Sequence, residues 1–100
     1  MRVRLRSNGA IATVYCVYWV GDRTFFACFE PGEEGLNTLD SKEVDVIERN
    51  MGADFVYFVD ADGRPGFIHP YLLEDNLLDS LFEHDSGAYQ RLVERLGKVP

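Results

Sequence analysis

Ten consecutive residues, Ile11 to Val20 (IATVYCVYWV), carry no charge and are rich in β-branched and aromatic side chains. That composition fits a pleated, buried surface and predicts a strand in the middle of a sheet. Turn signals close on both ends, Asn8-Gly9 before and Gly21-Asp22 after. Asn-Gly favours a type I′ hairpin turn, and glycine at the first loop position favours type II′. Ahead of them, Arg2, Arg4 and Arg6 alternate with Val3 and Leu5, the pattern of a half-buried strand.

The first turn predicts the pairs Ser7–Ala10, Leu5–Ala12 and Val3–Val14. The second predicts Val20–Arg23, Tyr18–Phe25, Cys16–Ala27 and Val14–Phe29. The two registers agree. One face collects Val3, Leu5, Ala12, Val14, Cys16, Tyr18, Val20, Phe25, Ala27 and Phe29, and a slip of one residue would break that agreement. The other face carries the three arginines with Ile11, Thr13, Tyr15, Val17, Trp19, Phe26 and Cys28. Either a helix or a second copy covers this face, or it is an exposed surface of arginine and aromatic residues. Those residue types dominate protein-binding hot spots, which makes Tyr15, Trp19 and Phe26 candidate anchors. The same register puts Cys16 and Cys28 on opposite sides of the sheet, so two free thiols are expected rather than a disulfide.

Leu39 to Val44 reads as a helix start. Asp40 is placed to cap, Glu43 to bond back, and Leu39 to staple onto Val44. The helix would run to about Met51 with Val44, Ile47 and Met51 inward, and Gly52 would stop it. Asp54 to Asp60 is apolar on both faces and predicts an interior strand. Asp60 to Gly63 is a turn, and Arg64 to Ile68 returns as a short strand that Pro65 assigns to an edge. The D-x-D-G spacing lacks the other acids of a calcium loop, so a plain Asp-Gly turn is expected.

Pro70 suits a helix start. Leu73, Leu77 and Leu81 would form the inner stripe, leaving Asp75, Asp79 and Glu83 as an acidic ridge. A last helix begins near Ser86 and ends at Gly97. The expectation is therefore one α+β domain spanning residues 1–100, an antiparallel sheet with helices on one face, in the order βββ-α-ββ-α-α. The βββ-α-ββ-α order is similar to that of type III secretion chaperones, which are small acidic dimers. It differs from theirs in having no first helix. A homodimeric escort protein is accordingly one alternative.

Charge narrows the functional classes. The net charge is −7, yet residues 1–29 carry four arginines against one aspartate. The remainder carries six bases and sixteen acids, with no Lys or Arg between Arg64 and Arg91. Such a balance disfavours nucleic acid and favours basic protein partners. The plain alternative is that these charges only maintain solubility. The longest apolar run is far shorter than a membrane span, and the N-terminus lacks the apolar core of a signal peptide. A cytoplasmic protein with no membrane partner is expected.

Phosphate-binding, dinucleotide-binding, nucleophile-elbow and zinc-protease motifs are absent. The histidines, His69 and His84, fall at helix ends, where capping and packing are their ordinary roles. A Cys28–His69 nucleophile pair and a zinc site from Cys16, Cys28, His69 and His84 both lack supporting spacing. No cofactor or metal is expected, nor catalysis; a small enzyme with scattered site residues is a further alternative. The preferred expectation is a small acidic protein-binding module that inhibits a basic partner, in the manner of a bacterial immunity protein, an antitoxin or a phage inhibitor of a nucleic-acid enzyme. Its binding residues would be Glu74, Asp75, Asp79 and Glu83 for charge, with Tyr15, Trp19 and Phe26 as a second surface.

Overall fold

A computed structural model describes residues 1–52 and 54–100. It is an α+β structure: a seven-stranded antiparallel sheet followed by two α-helices. The strands are β1 (Arg2–Leu5), β2 (Ile11–Val20), β3 (Arg23–Phe29), β4 (Asn37–Asp40), β5 (Val44–Glu48), β6 (Val56–Val59) and β7 (Pro65–Ile68). Two 3-10 turns, Ser41–Glu43 and Pro70–Leu73, precede β5 and the helices α1 (Leu77–Phe82) and α2 (Ser86–Leu96).

The uncharged run is indeed the central strand. β3 pairs along one edge of β2, while β1 (at Ile11–Thr13) and β7 (at Cys16–Tyr18) share its other edge. The second hairpin has the expected register, with Val20 opposite Arg23 and Cys16 opposite Ala27. Gly21 adopts φ +62, as its tight turn requires.

A β-bulge then intervenes. The register shifts between Val14 and Cys16, so that Val14 meets Cys28 instead of Phe29. Tyr15 is the extra residue. Its carbonyl accepts the His69 N–H, and the Val14 N–H bonds to Met1. A bulge bends and twists its strand. Here it splits the single predicted face in two. Val3, Leu5, Ala12 and Val14 join Val17, Phe26, Cys28 and Val44 in one core. Cys16, Ala27 and Phe29 join Tyr15 and the helices in the other.

The first hairpin also departs from the prediction. Val3 faces Ala12 and Arg4 faces Ile11, so the loop is four residues, Arg6–Gly9. The Asn8 side chain accepts the Ala10 N–H, and only Gly9 takes a positive φ. β1 ends early because Arg6 is engaged elsewhere. Its N–H bonds to the Glu43 carbonyl and its guanidinium meets Asp45 at 2.9 Å. The shift is two residues, an even number, so Val3 and Leu5 still point inward.

The predicted helix over residues 40–51 is not formed. Asp40 and Glu43 do make the reciprocal capping box, but it caps one 3-10 turn, after which the chain runs extended as β5 beside β1. Arg2 and Arg6 of the β1 segment meet Glu48 and Asp45 of β5. Tertiary pairing overrides the local helix signal. The order is therefore five strands, two more strands, then helices, and it no longer agrees with that of the secretion chaperones.

This rearrangement decides how the second core is covered. The sheet order is β4-β3-β2-β1-β5, yet β4 and β5 are joined by only three residues. A flat sheet would hold those outer strands about 19 Å apart. Four residue steps from Asp40 to Val44 reach about 14 Å at most. The sheet must curl. All five strands then send side chains into one cluster, including Leu39 from β4 and Val44 from β5. Of the predicted aromatic face, Val17, Phe26 and Cys28 are thus covered by the sheet itself, while Tyr15 passes to the helix side and Arg2, Arg4, Arg6 and Ile11 stay exposed.

The helices pack on the outer, convex face over Cys16, Ala27, Phe29 and Ile68. The expected stripe is displaced. Glu74 ends the 3-10 turn, Asp75 and Asn76 take left-handed backbone (φ 50 and 57), and α1 begins afresh at Leu77. Asp and Asn tolerate that region better than other non-glycine residues. The break buries Leu72 in place of Leu73, which is 51% exposed.

Cys16 and Cys28 are free thiols in different cores, as the register implied. Burial, with Asp60 near Cys16 and Glu30 near Cys28, pushes both thiols up to about 12. The thiolate is the reactive form. Neither cysteine should react with a thiol-specific maleimide in the native state over a time in which both react in denaturant. Rapid native labelling would contradict this packing.

Candidate functional site

The hairpin β6–β7 extends the sheet beyond β2, and its two strands occupy the reverse of their predicted places. β7 is interior, between β2 and β6, and β6 is the edge. Pro65 is tolerated because it is the first residue of β7, beyond the last β2 pair at Tyr18–Gly66. Gly66 makes the close approach: a Cβ there would sit 2.3 Å from the Val17 carbonyl oxygen.

Backbone bonding fixes which way β6 faces. The Asp60 N–H bonds to the Arg64 carbonyl across the turn. Antiparallel pairs alternate between bonded and non-bonded. Phe58–Gly66 and Val56–Ile68 are therefore bonded pairs. Tyr57 and Val59 consequently direct their own N–H and C=O groups away from β7, toward the open edge. Their side chains are 61% and 54% exposed. On that face, turned away from the helices, an aromatic row runs from Trp19 to Phe67 (6.1 Å, edge-on) and on to Tyr57 (5.7 Å).

On the helix side of β6 lies a groove of about 220 Å³. Phe58, Leu72, Leu73 and Leu78 give it apolar walls, and Asp60 and Asp79 border it. Next to it a second pocket of about 240 Å³ includes Cys16, Tyr18, Asp60, Asp62 and Asp79. The Asp60 carboxylate accepts the Asp62 and Arg64 N–H groups and so holds the turn, as a plain Asp-Gly turn should.

The predicted site residues fall into three groups. Asp75, Asp79 and Glu83 are exposed, and no Lys or Arg pairs with them among the described residues. Glu74 is engaged: Arg95 of α2 meets its Oε1 at 3.1 Å and its Oε2 at 2.7 Å, the latter off hydrogen-bond alignment. The same guanidinium lies over the Tyr71 ring. Glu74 therefore pins α2 rather than extending the acidic surface. Tyr15 and Phe26, at 7% and 5% exposure, belong to the two cores and are removed as surface anchors. The bulge swings Tyr15 under the helices, and the curl encloses Phe26. Trp19 alone of the three remains half-exposed. Sequence reasoning missed Tyr57, Val59 and Leu73. The signal was there: a strand apolar on both faces, next to a turn.

A larger cleft, about 490 Å³, lies elsewhere, among Thr13, Tyr15, Asp54, His69, Tyr71 and Arg95. Its histidine is committed. His69 Nδ1 accepts the Tyr71 N–H and caps the 3-10 turn, and Tyr15, Phe55 and Tyr71 pack around the ring. Burial lowers its pKa, against the raising effect of Asp54. Burial likewise raises the Tyr15 phenol. Cys28 lies in the core enclosed by the curled sheet, away from this cleft, so the Cys28–His69 pair is not assembled. His84 Nε2 bonds to Asn37 Oδ1 at 3.2 Å, beside Gly35. Among the described residues, no cluster of three His, Cys, Asp or Glu is placed to hold a metal ion, and no helix is long and apolar enough to cross a membrane.

Comparison with protein-family models, with curated proteins and with solved structures returns no match.

Proposed function

We propose that this chain is a non-catalytic protein-binding module that inhibits a partner with a basic surface, as immunity proteins, antitoxins and phage inhibitors do. One observation carries the reading. Arg2, Arg6, Arg23, Arg64 and Arg95 each meet a carboxylate within the chain. Asp75, Asp79 and Glu83 have no such partner among the described residues, and Asp79 shares a groove with Asp60 and exposed apolar side chains. The negative charge is thus uncompensated where apolar surface is available. Complementary charge speeds encounter and sets specificity, while apolar anchors hold a complex.

Affinity capture from the cell extract in which the protein is made tests this reading. At low salt the column should retain a protein of high isoelectric point, and high salt should release it. Retention of only acidic or neutral proteins would contradict it. Reversing Asp75, Asp79 and Glu83 together to lysine should slow association with the captured protein about tenfold or more. The same variant should melt within a few degrees of the parent, because exposed unpaired charges contribute little to stability. A large loss of stability would show that these carboxylates support the fold.

A further inference from the structure

We infer that the open edge of β6 is the docking site, and that its occupant is an extended segment of a partner protein that adds one strand, with basic residues alternating with apolar ones. This rests on the proposed function and specifies its binding mode.

Three observations converge on β6. Its outward amides and carbonyls, at Tyr57 and Val59, are directed by the Asp60–Arg64 bond and have no partner strand among the described residues. Exposed N–H and C=O groups of this kind are what strand addition uses for affinity. β4 and β5, the other edges, are tied near each other by the Ser41–Glu43 turn, and Glu48 and Asp45 of β5 are already paired with Arg2 and Arg6. The second observation is the groove along the helix side of β6. A strand laid on this edge would place alternate side chains over Phe58 and the groove, and the others beside Tyr57 and Val59. The third is charge. Asp60 and Asp79 border the groove, with apolar walls of Leu72, Leu73 and Leu78 beneath.

A lysine or arginine opposite Phe58 matches that shape. Its aliphatic stem would cover the leucines and its cationic end would meet Asp60 and Asp79. The residues between would be apolar, to cover Tyr57 and Val59. A second copy of this chain fits poorly. Antiparallel self-pairing that sets Tyr57 opposite Tyr57 or Val59 of the other copy puts Asp54 opposite Asp60 or Asp62. Like charges directly opposite are destabilising.

The test titrates the isotope-labelled full chain with the capped peptide Val-Lys-Val-Lys-Val-Lys-Val, following backbone amides by NMR. The expected result is saturable binding that moves the Tyr57 and Val59 amides most and slows their exchange with solvent. Val-Glu-Val-Glu-Val-Glu-Val should not bind. Raising the salt should weaken the lysine complex. Val59→Pro removes an outward N–H without touching a β6–β7 bond, and should weaken binding about fivefold to tenfold. Asp79→Lys should weaken it by a similar factor with β6 intact.

Shifts confined to α1 and Glu83, with Tyr57 and Val59 unmoved, would overturn the edge mode while leaving an acidic binding surface standing. No binding anywhere would also overturn the edge mode, and salt-sensitive capture of a basic protein would still judge the broader function separately. Equal binding of the glutamate peptide would overturn the charge assignment. Concentration-dependent dimerisation through Tyr57 and Val59 would show that a second copy is the occupant.

Discussion

Gly66→Val should destabilise the domain by about 3 kcal/mol, which corresponds to a fall in melting temperature of about 12–24 °C for a chain of this size. The clash begins at the first side-chain atom. A Cβ on residue 66 would lie 2.3 Å from the Val17 carbonyl oxygen, 2.8 Å from Phe58 Cε1 and 3.0 Å from Tyr18 Cα. Two of those atoms are backbone of the central strand, so no side-chain rotation relieves the overlap. β7 would have to move off β2, and among the described residues β6 pairs with the sheet only through β7. Gly66→Ala should show a smaller loss in the same direction. Thermal and denaturant melts measure both, and a variant as stable as the parent would mean that β7 does not pair with β2.

Leu81→Ala should cost about 2–5 kcal/mol, the range for emptying a fully enclosed leucine site. Leu81 is fully buried within the core between the sheet and the helices. Its carbonyl also accepts the N–H groups of Leu36 and His84, which ties α1 to the loop before β4. The informative comparison is Leu73→Ala. A continuous helix from Pro70 would bury Leu73, Leu77 and Leu81 in one stripe. The left-handed step at Asp75–Asn76 leaves Leu73 half-exposed instead. Leu73→Ala should therefore change stability by about 0.5 kcal/mol or less. Equal losses at positions 73 and 81 would restore the continuous helix.

These contrasts show where the sequence is informative. The uncharged run and its Gly21-Asp22 turn specify β2, β3 and their register, because a ten-residue apolar segment between turn signals admits few other placements. The bulge at Tyr15 leaves no trace in the pattern. Every residue from Val14 to Val17 is buried, so a two-residue period has nothing with which to mark a change of phase. Val44-Asp45-Val46-Ile47-Glu48 is compatible with a helix through Val44 and Ile47 and with a strand through Val44 and Val46. Only pairing with β1, forty residues earlier in the chain, resolves it. The candidate site is legible in its charge and not in its anchors. Asp75, Asp79 and Glu83 are exposed as expected, while Tyr15 and Phe26 are lost to the cores through the bulge and the curl. Asp60, Tyr57 and Val59 become important only once β6 is known to be an edge.

The open edge is tested most directly by amide hydrogen exchange along β6 in the protein alone. Val56 and Phe58, bonded to β7, should exchange slowly, and Tyr57 and Val59, which alternate with them, should exchange at close to the rate of an unstructured chain. Four amides protected alike would contradict the account, because something would then already cover the edge.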